Sequence, residues 1–398
     1  IEAEWARRYG TSQKAGLLVS QAARPTLLRL LPAAAFVVLI GPVAAGLAGA
    51  VLPALGYLPV LGGTEFSLRP VYQLAATPGL LRSCLISLCA GLVTTGVSFV
   101  LVMAFVAGWR GTRAFRVLER LISPLLSVPH AAAAFGLAFL IAPSGYLSRL
   151  LSPWLTGWQR PPDLLIIHDS FALSMMAGLI AKEVPFLLLM TLAALPQVRA
   201  AQTARLTASL GYGRMLGFAC TILPPLYRQI RLPIFAVIAY ASSVVDVALI
   251  LGPTTPPPLA VRIVEWQADP DLAMRFVAAA GAVLQLGVTL AALVLWWLAE
   301  RFIVRLAGST GLSGWRGQND RIARHAAAVA ASLSAAAILA GIFILLIWSF
   351  AGFWRFPDLL PQSFGVKTWM RTLPQLTSVM GNAILIGSAS SLIATILA

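Results

Sequence analysis

Apolar residues gather along the chain into eight runs, at about 30–51, 83–107, 124–142, 171–195, 233–252, 276–299, 327–349 and 378–398. Each is close to the roughly 20 residues a helix needs to cross the hydrocarbon core of a bilayer. Inside lipid every backbone N–H and C=O must find its partner within the segment, so runs of this length predict helices rather than open strands. The third run is the least regular, because Pro124, Pro129 and Pro143 bracket or interrupt it. The pattern therefore predicts an all-α polytopic membrane protein with about eight transmembrane helices.

The basic residues between the runs set an orientation. With a cytoplasmic N-terminus, the inner segments 1–29, 108–123, 196–232 and 300–326 carry 19 Lys and Arg, and the outer segments carry 9. Short loops rich in Lys and Arg stay on the cytoplasmic side. Loop 108–123, with Arg110, Arg113, Arg116 and Arg120, shows the bias most plainly. Trp296 and Trp297 fall at the inner end of one run, and Trp348 and Phe350 at the outer end of the next, as interfacial anchors do.

An offset of 298 residues lays the end of the chain over its beginning. Run 30–51 falls on 327–349, Tyr57-Leu58-Pro59 on Arg355-Phe356-Pro357, and run 83–107 on 378–398. Six runs separate the copies, so both copies point the same way. Parallel repeats imply two like halves about an axis along the membrane normal. The chain reads as one six-helix unit followed by the first two helices of a second, in a protein longer than this sequence.

Composition narrows the class further. Of 398 residues, 59% are hydrophobic and 11% charged, with a formal charge of +15. On a soluble protein that charge would point to nucleic acid; here it is explained by span orientation, and no nucleic-acid partner is expected. Cys84, Cys89 and Cys220 fit no metal spacing, and neither a cofactor nor a catalytic constellation is predicted. The polar stretch Ile1 to Gln21 lacks the short apolar core of a signal peptide. No Gly-x-x-x-x-Gly-Lys-Ser/Thr phosphate loop occurs, so ATP binding in that manner is not expected.

The longest inner segment, 196–232, is organised. Pro196 to Leu210 is rich in Ala, Leu, Arg and Gln, good helix formers. Gly211 and Gly213 are placed to end that helix, a second short helix fits Arg214 to Ile222, and Pro224 and Pro225 are expected to stop it. In this respect the sequence resembles the transmembrane subunits of type I ABC importers, whose cytoplasmic loop reads Glu-Ala-Ala, three residues, Gly, nine residues, Ile-x-Leu-Pro. Gly211, Leu223 and Pro224 match in type and spacing. Arg205, Leu206 and Thr207 stand where Glu-Ala-Ala would be, and Thr221 stands for Ile, so at Arg205 the usual charge is reversed.

The resemblance covers 30–305 as a first permease domain, with 1–29 a cytoplasmic segment, 306–326 a cytoplasmic linker, and 327–398 the start of a second permease repeat. Two permease domains on one chain is a layout similar to the fused thiamine and ferric-iron permeases. The family implies a multi-pass protein of the bacterial inner membrane, without enzyme activity of its own. Its partners would be cytoplasmic ABC ATPase subunits, a periplasmic solute-binding protein and the lipid bilayer. It also implies that the 196–232 loop couples ATP hydrolysis elsewhere to alternating access, through Arg205, Ala208, Gly211, Gly213, Arg214, Leu223 and Pro224. The basic residues of the loop alone would also fit an amphipathic segment lying on the bilayer, against which the glycine-to-Leu-Pro spacing favours coupling, and the repeat would also suit a secondary transporter driven by an ion gradient.

Three charges fall within runs. Asp246 in mid-run costs about 2.5–3.5 kcal/mol on insertion scales, so it should face protein or water. Lys182 and Glu183 are adjacent and point apart on a helix, so each should find its partner on another span. All three are candidates either for lining the translocation path or for joining helices. His130 reads as a packing residue, and Gly252 to Pro258 as a stiff outer connection.

Overall fold

The computed structural model describes residues 26–310 and 316–397. Most of the 1–29 segment, and residues 311–315 of the 306–326 linker, lie outside the described residues. Among those described, regular structure is helical, with two isolated bridges, Leu58 with Gly63 and Ala351 with Phe364.

Residues 26–76 and 269–283 belong to one compact unit. Helix α1, Thr26–Ala54, is apolar around its whole circumference, with Phe36, Val37 and Val43 well exposed, as suits a helix surrounded by lipid. A tight turn follows, closed by Leu58 N–H to Gly63 O at 2.8 Å and by Gly62 at φ +81. Tyr57 stacks on Phe66 with centroids 5.2 Å apart. Helix α2, Arg69–Ala75, ends the segment, with a proline in its first turn where no N–H is needed.

The remaining residues form the second unit. In chain order they fold into α3 (Leu80–Trp109), α4 (Arg113–Ile122), α5 (His130–Ile141), α6 (Tyr146–Leu151), α7 (Leu173–Ala194), α8 (Ala200–Ser209), α9 (Arg214–Gly217), α10 (Leu223–Ser243), α11 (Asp246–Leu251) and α12 (Leu259–Gln267). Helix α13, Met274–Thr310, begins in the first unit and continues in the second, which closes with α14 (Arg321–Phe350) and α15 (Lys367–Leu397).

Lipid offers apolar surface no worse than protein does, so helices here associate through close packing of small residues. Helix α3 buries a stripe of Ser83, Ser87, Ala90, Gly91, Thr94 and Ser98. At Gly91 an added Cβ would stand 2.9 Å from Ser242 Cβ of α10. Helix α14 buries Ala327, Ala331, Ala335, Ile338, Gly341 and Ile344 against α3, α5 and α7. Where α14 crosses α5, a Cβ on Gly136 would lie 2.8 Å from the Gly341 carbonyl carbon, so the two backbones touch. Large side chains fill the core near the α3 C-terminus, among them Phe105, Phe115, Leu187, Leu226 and Ile230.

Seven helices among the described residues are long and apolar enough to cross a membrane: Phe36–Ala54, Leu80–Trp109, His130–Leu151, Leu173–Val198, Met274–Leu306, Arg321–Phe350 and Lys367–Ile396. They coincide with seven of the eight predicted runs, and the fold is an all-α polytopic membrane protein. The run at 233–252 is the exception. Its helix starts ten residues earlier, at Leu223, carries Arg228 and Arg231 in its first half, and breaks at Val244, which is extended. That span is therefore neither uniformly apolar nor continuous. The offset of 298 residues carries Arg69, the start of α2, onto Lys367, the start of α15, although α2 has 7 residues and α15 has 31.

Candidate functional site

The 196–232 loop folds as a compact helical knob. A 3-10 turn over Leu195–Val198 leads to Arg199, whose φ of 47 turns the chain into α8. Helix α8 ends in a motif with two characteristic bonds: Tyr212 N–H to Thr207 O at 3.1 Å and Gly211 N–H to Ala208 O at 3.0 Å. This termination places the residue after the cap in the left-handed region, and Gly211 sits there at φ +81. Gly213 has a different reason to be glycine. Its φ is ordinary, but an added Cβ would stand 2.0 Å from the Gly317 carbonyl oxygen.

That approach belongs to a strap formed by residues 316–320. Gly213 N–H donates to Arg316 O at 2.8 Å, and Gln318 Nε2 donates to Gly211 O at 3.1 Å. The Arg316 guanidinium lies 5.4 Å from the Tyr212 ring centroid, and Met215 N–H donates to Asp320 Oδ2 at 3.0 Å. On its other side the knob is tied to α3, with Arg214 Nη2 donating to Arg110 O at 2.7 Å. Trp109 Nε1 bonds Arg324 O at 2.7 Å, and Arg324 Nε bonds Gly108 O at 3.1 Å, so α14 is fastened to the same end of α3.

Pro224 and Pro225 do not stop a helix, as the sequence suggested; they begin one. After α9 the chain makes a π turn over Phe218–Ile222 and continues into α10 with helical dihedrals throughout. A proline ring collides with the carbonyl four residues back in an α-helix. The wider turn, with Leu223 N–H bonded to Phe218 O, makes room for Pro224. The knob is thus continuous with a long rod that ends at Ser243. Tyr227 and Arg231 clamp this rod to α13: both bond Glu300, Arg231 at 2.8 Å, and Trp296 Nε1 donates to the Tyr227 hydroxyl at 2.8 Å.

Of the named loop residues, Arg205, Ala208 and Arg214 are exposed, Gly211 and Gly213 form the turn, and Leu223 and Pro224 open α10. The outward face of α8 also presents Leu206 and Leu210, 66% and 60% exposed, one helical turn apart. A pocket of about 310 Å³ lies between α8, α9 and the C-terminal end of α3, with Arg110, Arg205 and Arg214 in its lining. Burial, then the nearby Arg214, holds Arg110 below the ordinary arginine pKa. Burial and Arg324 do the same for Arg214, partly offset by Asp320.

The charges within the membrane separate into two groups. Lys182 is buried and donates to Leu125 O at 2.8 Å and Val128 O at 2.6 Å, capping the 3-10 turn that precedes α5. Glu183, equally buried, meets His130 Nε2 at 3.3 Å. The His130 ring lies 4.7 Å from that of Tyr240, whose hydroxyl interacts with Asp246. Glu183, His130, Tyr240 and Asp246 thus gather where α7, α5, α10 and α11 meet, and Lys182 bonds elsewhere. His130, read from sequence as a packing residue, packs on Tyr240 and also pairs with Glu183.

Asp246 stands where the rod breaks, as the first residue of α11. The break frees the Ser242 carbonyl, and buried Gln285 of α13 satisfies it at 3.0 Å. Ser242 Oγ also pairs with Thr289 Oγ1 at 3.0 Å. Gln285, Tyr240 and the 316–320 strap were not singled out from sequence. Gln285 carries the one signal that could have been read, a polar amide in the middle of an apolar run.

Among known proteins the chain is similar to the inner membrane ABC transporter permease protein YnjC of Escherichia coli (strain K12). The two are 31% identical over 223 residues, which is 54% of this chain and 42% of that protein. The match thus spans less than half the length of its relative. No protein-family model matches the chain.

Proposed function

We propose that this chain is the transmembrane permease subunit of an ATP-binding-cassette importer of the inner membrane, moving a small solute by alternating access driven by a separate ATPase. The observation that carries the reading is the knob at 196–232: a short exposed helix with an apolar ridge, fixed by a glycine turn and a strap, and continuous with a rod that crosses toward Asp246. A stiff element of this kind transmits displacement without bending. The likeness to an inner-membrane ABC transporter permease supports the same reading.

In this scheme Leu206 and Leu210 seat in a groove of the cytoplasmic ATPase. Closure of two ATPase subunits moves the knob, the rod follows, and the broken crossing at Val244 and Asp246 opens or shuts the path. Glu183, His130, Tyr240 and Asp246 provide the polar surface along it, and Lys182 keeps the start of α5 in place. A periplasmic binding protein delivers the solute, and 327–398 opens a second permease half of the fused type. An interrupted span bearing a carboxylate would also serve an ion-gradient-driven transporter. The rigid knob, which such a transporter does not need, favours the ATP-driven reading.

The test is ATPase association. Replacing Leu206 and Leu210 together by Asp should abolish co-purification of the ATPase while membrane insertion persists. Undiminished association in that variant would remove the docking role from α8.

A further inference from the structure

The pocket beside α8 lies between the knob and the C-terminal end of a spanning helix, α3. Its α8 lining is Ala204, Arg205, Thr207 and Ala208. At about 3.6 residues per turn these occupy the side of α8 opposite Leu206 and Leu210, so the pocket is turned away from the apolar ridge. Three guanidinium groups, Arg110, Arg205 and Arg214, join an apolar base that includes Val106 and Phe218. Arg214 Nη2 donates to Arg110 O at 2.7 Å, which holds those two arginines side by side. Among the described residues none of the three has a carboxylate within 4.0 Å. Asp320, whose charge acts on Arg214, is engaged by Arg324 at 3.8 Å and by the Met215 N–H at 3.0 Å. Burial and Arg214 both disfavour the charged form of Arg110, yet a guanidinium stays protonated at any pH a protein meets. An anion in the pocket relieves that crowding.

The depth of the site is set by α4, which begins three residues after Arg110. Helix α4 buries Phe115, Leu118 and Ile122, while Val117 and Leu121, 58% and 50% exposed, share the rest of its surface with exposed Arg116 and Arg120. A helix of this kind lies in the plane of the bilayer surface, at headgroup level. From this arrangement we infer that the pocket binds the phosphate headgroup of an anionic phospholipid from the leaflet beside the knob. The inference goes beyond the permease reading and does not use the docking of Leu206 and Leu210. Basic pockets at the ends of spanning helices select such headgroups, and a guanidinium fork pairs with phosphate oxygens through two parallel hydrogen bonds. Soluble phosphate offers the same oxygens but leaves the apolar base bare. A zwitterionic lipid covers the base but brings a cation toward the arginines. An anionic lipid satisfies both, and its headgroup then joins α3 to the knob.

The experiment measures lipid binding to the full-length protein in detergent by native mass spectrometry, titrating phosphatidylglycerol and phosphatidylcholine of matched acyl chains. The wild type should bind phosphatidylglycerol at least about tenfold more tightly than phosphatidylcholine. Arg205→Gln should weaken phosphatidylglycerol binding about fivefold, and Arg110→Gln with Arg205→Gln about twenty- to thirtyfold, with phosphatidylcholine binding unchanged. Arg205 is exposed, so its single variant decides the matter should the pair fail to fold. Arg116→Gln with Arg120→Gln, outside the pocket, should lose less than about twofold. Equal phosphatidylglycerol affinity in wild type and Arg205→Gln would overturn the inference. So would an equal loss in the α4 variant, which would assign the preference to the general positive charge of that surface. Inorganic phosphate that displaced phosphatidylglycerol at millimolar concentration, and protected the wild type against heat as fully as the lipid, would make the pocket a soluble-anion site and would also overturn it.

Discussion

Gly211 and Gly213, two positions apart, show how differently a residue can be required. Gly211 occupies a backbone region that costs other residues about 1–2 kcal/mol, and the sequence announced it by placing a glycine after a run of helix formers. Gly213 has an ordinary φ, and its need arises from the Gly317 carbonyl, which approaches from more than a hundred residues away. Nothing local to Gly213 reveals that. Gly211→Ala should lower stability by about 1 kcal/mol and leave the strap in place. Gly213→Ala should cost more, about 1–3 kcal/mol, and should expose residues 316–320 to limited proteolysis. Thermal unfolding in detergent and a protease time course distinguish the two; equal effects would mean that the strap does not bear on Gly213. Lys182 carries the same lesson. Its place in an apolar run marked it as a charge needing a partner, and the sequence placed that partner on another span. That the partners are backbone carbonyls, Leu125 O and Val128 O, depends on how the Pro124 and Pro129 segment folds back.

At the scale of helices, what the bilayer dictates was legible and what neighbours dictate was not. Seven crossings could be placed because hydrocarbon thickness writes a length of about 20 residues into any spanning helix. The rod Leu223–Ser243 differs from the sequence expectation at both ends. Its prolines suggested a stop, yet a π turn absorbs the first of them, and its apolar half suggested a continuous span, yet the helix breaks at Val244. A break at membrane depth needs a donor for the freed carbonyl, and Gln285 supplies it from α13. Gln285→Leu leaves Ser242 O unpaired in a buried site, a loss of about 1–3 kcal/mol. The expected outcome is a lower melting temperature and impaired transport with ATPase association retained, because α8 and its strap do not touch Gln285. Retained transport and unchanged melting would show that the break does not depend on this bond.

For the whole molecule, the proposed coupling needs a rigid knob held apart from the polar residues at the broken crossing, and the knob at 196–232 and the break at Val244 have that separation. Helix α14 packs along α3, α5 and α7 by small residues and the Gly136–Gly341 contact. The two-to-one bias of Lys and Arg predicts the orientation on which the proposed docking depends, since the knob can meet an ATPase only from the cytoplasm. The most direct test places a single cysteine at position 205 in a chain lacking Cys84, Cys89 and Cys220, and exposes spheroplasts and inverted membrane vesicles to a membrane-impermeant maleimide. The account predicts labelling in inverted vesicles alone, blocked when the ATPase is added; labelling in intact spheroplasts would contradict it.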